Sequence, residues 1–496
     1  MPSDPRSDVT PVPASSGRPA TRAGAPAPSL ESVTTIRSDG SRPFLFPAAT
    51  RGRFTTARRI VALVLLVFYM SLPWIPVNGH PAVLLDLVDR RFHLLGLPFA
   101  AQDMWLLFFV LTGLGFSLIF ITALLGRIWC GWACPQTVFL EHVFRPIERL
   151  IEGDALARRK LDEAPMSWRK FRIRALKHTV YVLVAAFFTH LYLAYFVSVP
   201  EVWHMVSSAP AEHWGVFVFM AAYTGLTYFI FAWFREQVCI VICPYGRIQS
   251  ALTDDHTLVI GYDRARGEPR GRAGTPGAGD CVACSRCVQV CPTGIDIRHG
   301  LQMECVGCTA CIDACDDVMR RTGRAAGLIR YDSQRGFAKE RTRWIRPRTI
   351  VYFVLLLAGA SVASWAVSTI KPANFGVTRM TGAPYIVDAS TVRNQFLVRI
   401  VNKRNAPRRF TVAVERAPEG VVLSGLTEPV EVPALGEVVR PLILQQERPR
   451  YTGVFHFVVT VTDEAGTFTL RREVEFLGPE ARLLRDEEEE ARRARR

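Results

Sequence analysis

The stretch from Cys281 to Cys315 constrains this chain most, because it carries eight cysteines at fixed spacings. It reads CVACSRCVQVCPTGIDIRHGLQMECVGCTACIDAC, and the spacing C-x₂-C-x₂-C-x₃-C occurs in it twice. The cysteines of the first run are Cys281, Cys284, Cys287 and Cys291, and those of the second are Cys305, Cys308, Cys311 and Cys315. This spacing is typical of bacterial two-cluster ferredoxins, so the sequence predicts two [4Fe-4S] clusters.

In such a pair of runs the fourth cysteine of each run binds the other cluster. We therefore expect Cys281, Cys284 and Cys287 to share the first cluster with Cys315. We expect Cys305, Cys308 and Cys311 to share the second cluster with Cys291. A zinc site is disfavoured because zinc motifs use separate C-x₂₋₄-C pairs, and disulfides would need an oxidising compartment. Asp316 stands where proline is usual, so the backbone near Cys315 is expected to be less constrained.

The composition favours a membrane protein. Hydrophobic residues make up 49% of the 496 residues, yet the formal net charge is +15. This combination suits apolar spans joined by basic cytoplasmic loops. The basic residues flank the apolar segments and form no single stripe, so a nucleic-acid partner is not expected.

Five apolar segments of about twenty residues match the thickness of a bilayer. Their approximate positions are 60–78, 104–128, 178–199, 214–234 and 349–370. Lys and Arg are dense in 145–177 and absent from 200–213. The positive-inside rule therefore predicts a multi-pass membrane protein with its N-terminus and cysteine runs in the cytoplasm. An odd number of spans places the C-terminal domain outside, which is the periplasm if the cell is Gram-negative and the membrane is the bacterial inner membrane.

The predicted fold class is a multi-domain membrane protein. An α-helical bundle of five spans carries an inserted α+β bacterial-type two-cluster ferredoxin domain and a C-terminal all-β immunoglobulin-like sandwich, whose short strands show period-two alternation. The predicted parts are a disordered cytoplasmic tail at 1–57, a four-helix membrane region at 58–243, the ferredoxin domain at 244–347, the fifth transmembrane helix at 348–371, the immunoglobulin-like domain at 372–478 and a charged tail at 479–496.

Four more cysteines form two matching C-x₃-C-P motifs at the ends of the second and fourth apolar segments. Cys130 and Cys134 lie in WCGWACPQ, and Cys239 and Cys243 lie in VCIVICPYG. Cysteine in a helix is often just a small apolar residue. Two matching pairs at the same depth favour a redox or metal role instead. Paired thiolates suit Cu(I), so these four cysteines are a candidate copper site.

The source of electrons is left open by the sequence. It contains no C-x-x-C-H motif for covalent haem and no well-placed dinucleotide or P-loop fingerprint. Electrons are therefore expected from a protein or a quinol. The catalytic residues are not identified by any motif.

Several features together resemble one known family. They are the membrane C-x₃-C-P motifs, the double cysteine run, the following RRTGRAAGLIRYDS, and VRNQFLVRIVNKRNAPRRFTV in the terminal domain. Over about residues 40 to 478 the sequence resembles the cytochrome c oxidase accessory proteins called CcoG, FixG or RdxA. The C-x₃-C-P pairs alone are shared with polyferredoxins of the nitrate and nitrous-oxide reductase systems.

This resemblance implies a role in the assembly of cbb-type cytochrome c oxidase, with reduction of Cu(II) to Cu(I) for loading the oxidase. The eight ferredoxin cysteines would be cluster ligands, and the oxidase or copper chaperones would be partners. Two alternatives stay open: a quinol-linked electron-transfer module for another reductase, and a non-enzymatic scaffold for oxidase assembly.

Overall fold

The structure is a computed structural model that describes residues 44–87, 91–100, 105–369, 371–404 and 406–494. Most of the tail predicted at 1–57 lies outside these residues. Its last part is structured, because 44–52 is an extended segment and the first helix begins at Arg53. In this segment Phe46 is buried, and the Ala48 amide donates to the Gln289 carbonyl at 2.8 Å.

Among the described residues, five helices are long and apolar enough to cross a membrane, as the sequence predicted. Long side chains of Leu, Val, Ile and Phe stay exposed along them, which in water would be unfavourable and in lipid is not. Their bounds are α1 Arg53–Ser71, α2 Trp105–Leu125, α7 Trp168–Val197, α9 Trp214–Phe229 and α15 Pro347–Ser368. A short 3₁₀ turn, Leu72–Trp74, follows α1, and a π-helical turn, Ile230–Phe234, continues α9.

Short helices lie at the C-x₃-C-P motifs: α3 Ile128–Trp132, α4 Pro135–Phe139 and α10 Pro244–Leu252. Two more, α5 Arg145–Glu152 and α6 Ala155–Glu163, lie in the basic segment after α4, and α8 Val199–Ser207 joins α7 to α9. Further π-helical turns are Leu140–Phe144 and Val238–Ile242.

The cysteine runs lie in a small α+β region. Its elements are β6 Val259–Tyr262, α11 Arg264–Gly267, α12 Arg286–Gln289, the 3₁₀ turn Ile297–His299, α13 Ala310–Arg321, β7 Ile329–Asp332 and α14 Gln334–Phe337. β6 and β7 pair antiparallel, with Val259 opposite Asp332. Ile260, Ile312 and Met319 form its buried core together with several cysteines.

Short strands between α1 and α2 form two small antiparallel sheets. They are β1 Pro76–Val77, β2 His80–Pro81, β3 Val83–Asp86, β4 Arg91–Leu94 and β5 Leu97–Ala100.

The C-terminal domain is a sandwich of two antiparallel sheets. Its strands are β8 Ala373–Arg379, β9 Ile386–Val387, β10 Thr391–Asn402, β11 Arg408–Glu415, β12 Val421–Ser424, β13 Val430–Val432, β14 Glu437–Glu447, β15 Phe455–Asp463 and β16 Thr469–Phe476. One sheet has the order β12-β14-β10-β8, with β9 on β10, and the other has β13-β11-β15-β16.

Alternation along β10 shows why this sequence forms a sandwich. Every second residue is buried: Val392, Asn394, Phe396, Val398, Ile400 and Asn402. These side chains meet those of the other sheet, so Phe396 packs against Phe457 with ring centroids 5.6 Å apart. The charged tail forms α16 Ala481–Ala494, and its Leu484 is buried in the sandwich core.

Candidate redox centre

Two cavities of similar size lie among the cysteines of the double run. The first has about 350 Å³ of empty space, and its cysteines are Cys281, Cys284, Cys287 and Cys315. The second has about 330 Å³, counting space open to solvent, and is lined by Cys291, Cys305, Cys308 and Cys311, and also by Cys287, which lines both cavities. Each run thus contributes its fourth cysteine to the cavity of the other. This is the crossed grouping that the spacing predicts for cluster ligands.

The spacing of these thiols suits clusters better than single ions. In the described part of the chain, no three His, Cys, Asp or Glu side chains gather closely enough to hold one metal ion. A tetrahedral ion with metal–sulfur bonds of 2.3 Å brings its sulfurs to roughly 3.8 Å from each other. The corners of a cubane hold their thiolates further apart. Four thiols around a cavity, without a tight cluster of sulfurs, therefore fit a [4Fe-4S] group.

The two runs bend their backbones at equivalent positions. Ala283 and Ser285 in the first run have φ of 53° and 54°, and Gly307 and Thr309 in the second have φ of 68° and 62°. This conformation is unfavourable for non-glycine residues, and such strain is concentrated at functional sites. It lets each loop wrap around its cavity before α12 or α13 begins.

Asp316 does not loosen the backbone, contrary to the expectation from its sequence. It lies inside α13, which runs on to Arg321, and its Oδ1 accepts a hydrogen bond from the Gly327 amide at 2.8 Å. A proline at this position would disturb the helix. Asp316 therefore keeps α13 intact and anchors the turn that leads to β7.

The two C-x₃-C-P motifs end in the same local structure, although Cys130 lies in the α-helix α3 and Cys239 in a π-helical turn. Cys134 and Cys243 each precede a short helix as its N-cap, and Pro135 and Pro244 take the first helical positions. Proline is favoured there because its missing N–H needs no partner. Each proline therefore begins a new short helix directly after the second cysteine of its motif.

The four membrane-end thiols lie within electrostatic range of one another. The thiol of Cys239 is influenced by those of Cys134, Cys130 and Cys243. Burial raises the pKa of Cys130 to about 11 and that of Cys239 to about 12. The thiols of Cys130 and Cys239 are therefore neutral at pH 7 unless a bound cation favours the thiolate. The Gln249 amide contacts Cys130, with Nε2 3.4 Å from Sγ.

The first C-x₃-C-P motif is packed directly against the second cluster loop. A Cβ on Gly131 would collide with the Gly307 carbonyl and lie 2.9 Å from the Val306 oxygen. A Cβ on Gly307 would lie 2.8 Å from the Arg127 oxygen. Glycine at both positions therefore lets the backbone between Cys130 and Cys134 touch the backbone between Cys305 and Cys308.

Two arginines hold this contact in place. The Arg127 guanidinium donates to the carbonyls of Gly246, at 2.6 Å, Cys305, at 3.3 Å, and Met303. Arg58 Nε donates to the Gly131 carbonyl at 2.9 Å. Arg58 is only 6% exposed, and its Nη2 is buried without a hydrogen-bond partner among the described residues. The positive charge of Arg58 acts on both Cys308 and Glu141, and its unpaired Nη2 suits a site beside Cys308 that takes a negatively charged group.

A buried network of ion pairs, which was not predicted from the sequence, contacts residues next to Cys291 and Cys239. Both Glu148 oxygens accept from Arg235, at 3.1 and 3.0 Å, and Arg158 donates to Glu148 at 3.0 Å. Arg145 binds Glu236 and the carbonyl of Pro292, each at 3.2 Å. Pro292 follows Cys291, and Glu236 lies shortly before Cys239. The sequence feature that indicates such a network is the presence of glutamates among the arginines of 145–177.

Comparison with known protein families gives three matches. A model described as 4Fe-4S dicluster domain matches residues 234–334, and one described as 4Fe-4S binding domain matches 104–161, which includes Cys130 and Cys134. An IG-like fold at the C-terminal of FixG matches 363–479. These matches confirm the predicted ferredoxin and immunoglobulin-like parts, and they support iron–sulfur clusters.

Whole-chain relatives are also similar. Protein RdxA of Cereibacter sphaeroides is 36% identical over 446 residues, which cover 85% of this chain and 94% of that protein. Nitrogen fixation protein FixG of Rhizobium meliloti is 33% identical over 78% of this chain and 83% of its own. Protein RdxB of Cereibacter sphaeroides is 33% identical over 75% of this chain and 81% of its own.

A crystal structure of a FixG-related protein from Vibrio parahaemolyticus matches 22% of this chain and 97% of its own at 19% identity, with a TM-score of 0.20. That score is too low to compare folds. The relatives cover most of both chains, the cysteine runs match a dicluster model, and five helices can span a bilayer. The chain therefore belongs to the FixG and RdxA family of membrane-associated iron–sulfur electron-transfer proteins.

Proposed function

We propose that this protein reduces Cu(II) to Cu(I) for the assembly of a cbb-type cytochrome c oxidase. The observation that carries this proposal is the contact of Gly131 with Gly307. It joins a loop of the double cysteine run to a set of thiols suited to copper. The oxidase or copper chaperones would receive the product.

In this proposal the eight cysteines of the double run hold two [4Fe-4S] clusters with the crossed grouping given above. The clusters, when bound, supply one-electron transfer. Support comes from the two cavities of matched size and from the buried Arg58 guanidinium beside Cys308.

Copper is the substrate, and Cys130, Cys134, Cys239 and Cys243 would bind it. Each Cu(II) takes up one electron and becomes Cu(I), which soft thiolates prefer. The described residues contain no close group of three or more potential metal ligands, so one C-x₃-C pair would bind the copper ion first. The second pair lies within electrostatic range of the first and would be near enough to bind the same ion. Cys134 and Cys243 are both partly buried and take the N-cap positions of α4 and α10, and Gly131, in the same motif as Cys134, contacts the second cluster loop.

The proposed location is the bacterial inner membrane, with all five long helices as spans. The N-terminus and the ferredoxin region would be cytoplasmic, and the C-terminal sandwich periplasmic. Support comes from the basic segment 145–177 and from the span count. Copper would then be reduced near the cytoplasmic face.

The test is Cu(II) reduction by purified protein with dithionite, read out with a Cu(I)-specific chelator after excess dithionite is removed. We expect Cys130→Ala/Cys134→Ala to abolish copper binding and to lower the rate of Cu(II) reduction at least tenfold. The iron content should stay at about eight atoms per chain. Ala133→Ser, within the same motif, is the matched control and should behave as wild type.

Cys287→Ser addresses the scaffold alternative, because it should remove a cluster while leaving the membrane thiols intact. Oxidase assembly that persists in this variant without cluster reduction would exclude the reductase function. An unchanged rate and unchanged copper binding in the double alanine variant would remove the membrane thiols from the reaction.

A further inference from the structure

A third cavity lies beside the second cluster loop and is not used by the proposed function. It has about 750 Å³ of empty space, including its open mouth. Its lining residues are Arg127, Gln249, Thr253, Leu258, Val259, Ile260, Leu301, Gln302, Met303, Cys305, Gly307 and Tyr331. It therefore touches a proposed cluster ligand, Cys305, and through Gln249 it reaches Cys130.

The wall of this cavity is tied to the end of a membrane-spanning helix. The Leu258 amide donates to the Leu124 carbonyl at 3.0 Å, and Thr257 Oγ1 donates to the Ala123 carbonyl at 2.9 Å. Leu124 and Ala123 belong to the last turn of α2. Leu301 and Met303 in the lining are about half exposed, which leaves apolar surface uncovered at the mouth. A ligand that enters from the bilayer could cover it.

The lining chemistry selects the class of ligand. Its described residues include no carboxylate or imidazole, so a metal ion finds no suitable set of ligands there. Arg127 is the one cation in this lining, and both of its Nη atoms are engaged by backbone carbonyls. A nucleotide would need free cations for its phosphates. A neutral ring with hydroxyl groups suits the apolar walls. The Tyr331 hydroxyl already donates to the Gly307 carbonyl at 3.2 Å, but its oxygen has a further lone pair that can accept a hydrogen bond from a ring hydroxyl.

We propose that this cavity binds the ring of a membrane-soluble hydroquinone. The proposal rests on the proposed function and names its electron donor. One hydroquinone would reduce two Cu(II) ions to Cu(I) and become a quinone, with release of two protons. The described lining contains no carboxylate or imidazole to keep them, so both protons are released to bulk water.

The experiment measures binding of decylubiquinone to the full-length, cluster-containing protein in lipid nanodiscs by isothermal titration. Leu258→Phe fills the cavity from its wall, and Leu301→Trp blocks its mouth. We expect each to weaken binding at least tenfold. Leu150→Phe changes an exposed leucine outside the lining and should bind as wild type. Decanol, which has the tail without the ring, should not bind.

Leu301→Trp is at an exposed position, so it remains informative if Leu258→Phe loses its clusters. Unchanged quinone affinity in Leu301→Trp, or equal binding of decanol, would overturn the proposal. Cu(II) reduction with dithionite tests the proposed function separately. Normal reduction without quinone binding would reject the hydroquinone site alone, whereas quinone binding without any copper reduction would reject the proposed function alone.

Discussion

At the scale of single residues, Arg58 is placed to control the second proposed cluster. Burial raises the pKa of the Cys308 thiol to about 12, and the Arg58 charge is the strongest influence in the opposite direction. The same charge would stabilise a reduced cluster. At an effective dielectric constant of about 20, a neighbouring unit charge is worth on the order of 2 kcal/mol, or on the order of 90 mV for one electron. Arg58→Leu should therefore lower the midpoint potential of one cluster by tens of millivolts.

The measurement is a redox titration followed by low-temperature EPR. Arg59→Leu is the matched control, because Arg59 is the next residue and is exposed. Arg58→Lys should restore most of the potential. Equal potentials in Arg58→Leu and wild type, with both clusters present, would show that the guanidinium serves packing only.

The contrast between Arg58 and the cysteines shows what a sequence can reveal about single residues. Spacing alone grouped Cys291 with the second run and Cys315 with the first, because ferredoxin loops impose that geometry locally. In the sequence, Arg58 resembles the basic residues that commonly flank the cytoplasmic end of a membrane span. Its role depends on Gly131 and Cys308, which are distant in sequence, so no local pattern could identify it.

At the scale of elements, the ion network joins α5, α6 and α7 around Glu148. Burial alone would raise the pKa of Glu148, but Arg235, Lys177 and Arg158 outweigh it and hold the pKa below its ordinary value. Removing one partner of a buried ion pair costs about 3–5 kcal/mol. Glu148→Gln should destabilise the protein by an amount of this order, measured as an earlier thermal loss of cluster absorbance.

The same network gives a pH dependence with a defined sign. Because the pKa of Glu148 is depressed in the folded state, its contribution is present above the unfolded-state value of about 4.3 and is lost as the pH falls through the folded-state pKa. Wild type should therefore lose stability below about pH 4.3, and Glu148→Gln should lose less over that window. Glu163→Gln, at an exposed position of α6, should match wild type; an equal loss in both variants would refute the role of the network.

Helix and strand positions were predicted better than the contacts between them. The long helices follow from unbroken apolar runs, and β10 follows from alternation. The helical start at Arg53 and the packed segment 44–52 were missed, because the surrounding tail is rich in Pro, Ala and Ser. Phe44 and Phe46 were the available signal. They lie against Arg235 and Arg158, with ring centroids 5.9 and 5.5 Å from the guanidinium carbons.

At the scale of the whole molecule, cysteine spacing predicted the ferredoxin region and period-two alternation predicted the sandwich, and the family matches confirm both. The apolar segments predicted the five long helices found among the described residues. The proximity of the C-x₃-C-P thiols to the ferredoxin loop could only be suggested. It depends on two glycines, Gly131 and Gly307, whose contact is visible only in three dimensions.

Membrane topology gives the last prediction. If all five long helices cross the bilayer and the basic segment 145–177 stays inside, residues before and after α15 lie on opposite sides. Alkaline phosphatase fused after residue 346 should be inactive, and after residue 478 it should be active. Green fluorescent protein at the same two positions should give the reverse pattern. The same result at both positions would mean that α15 does not span, and a reversed pattern would put the cysteine runs outside the cytoplasm.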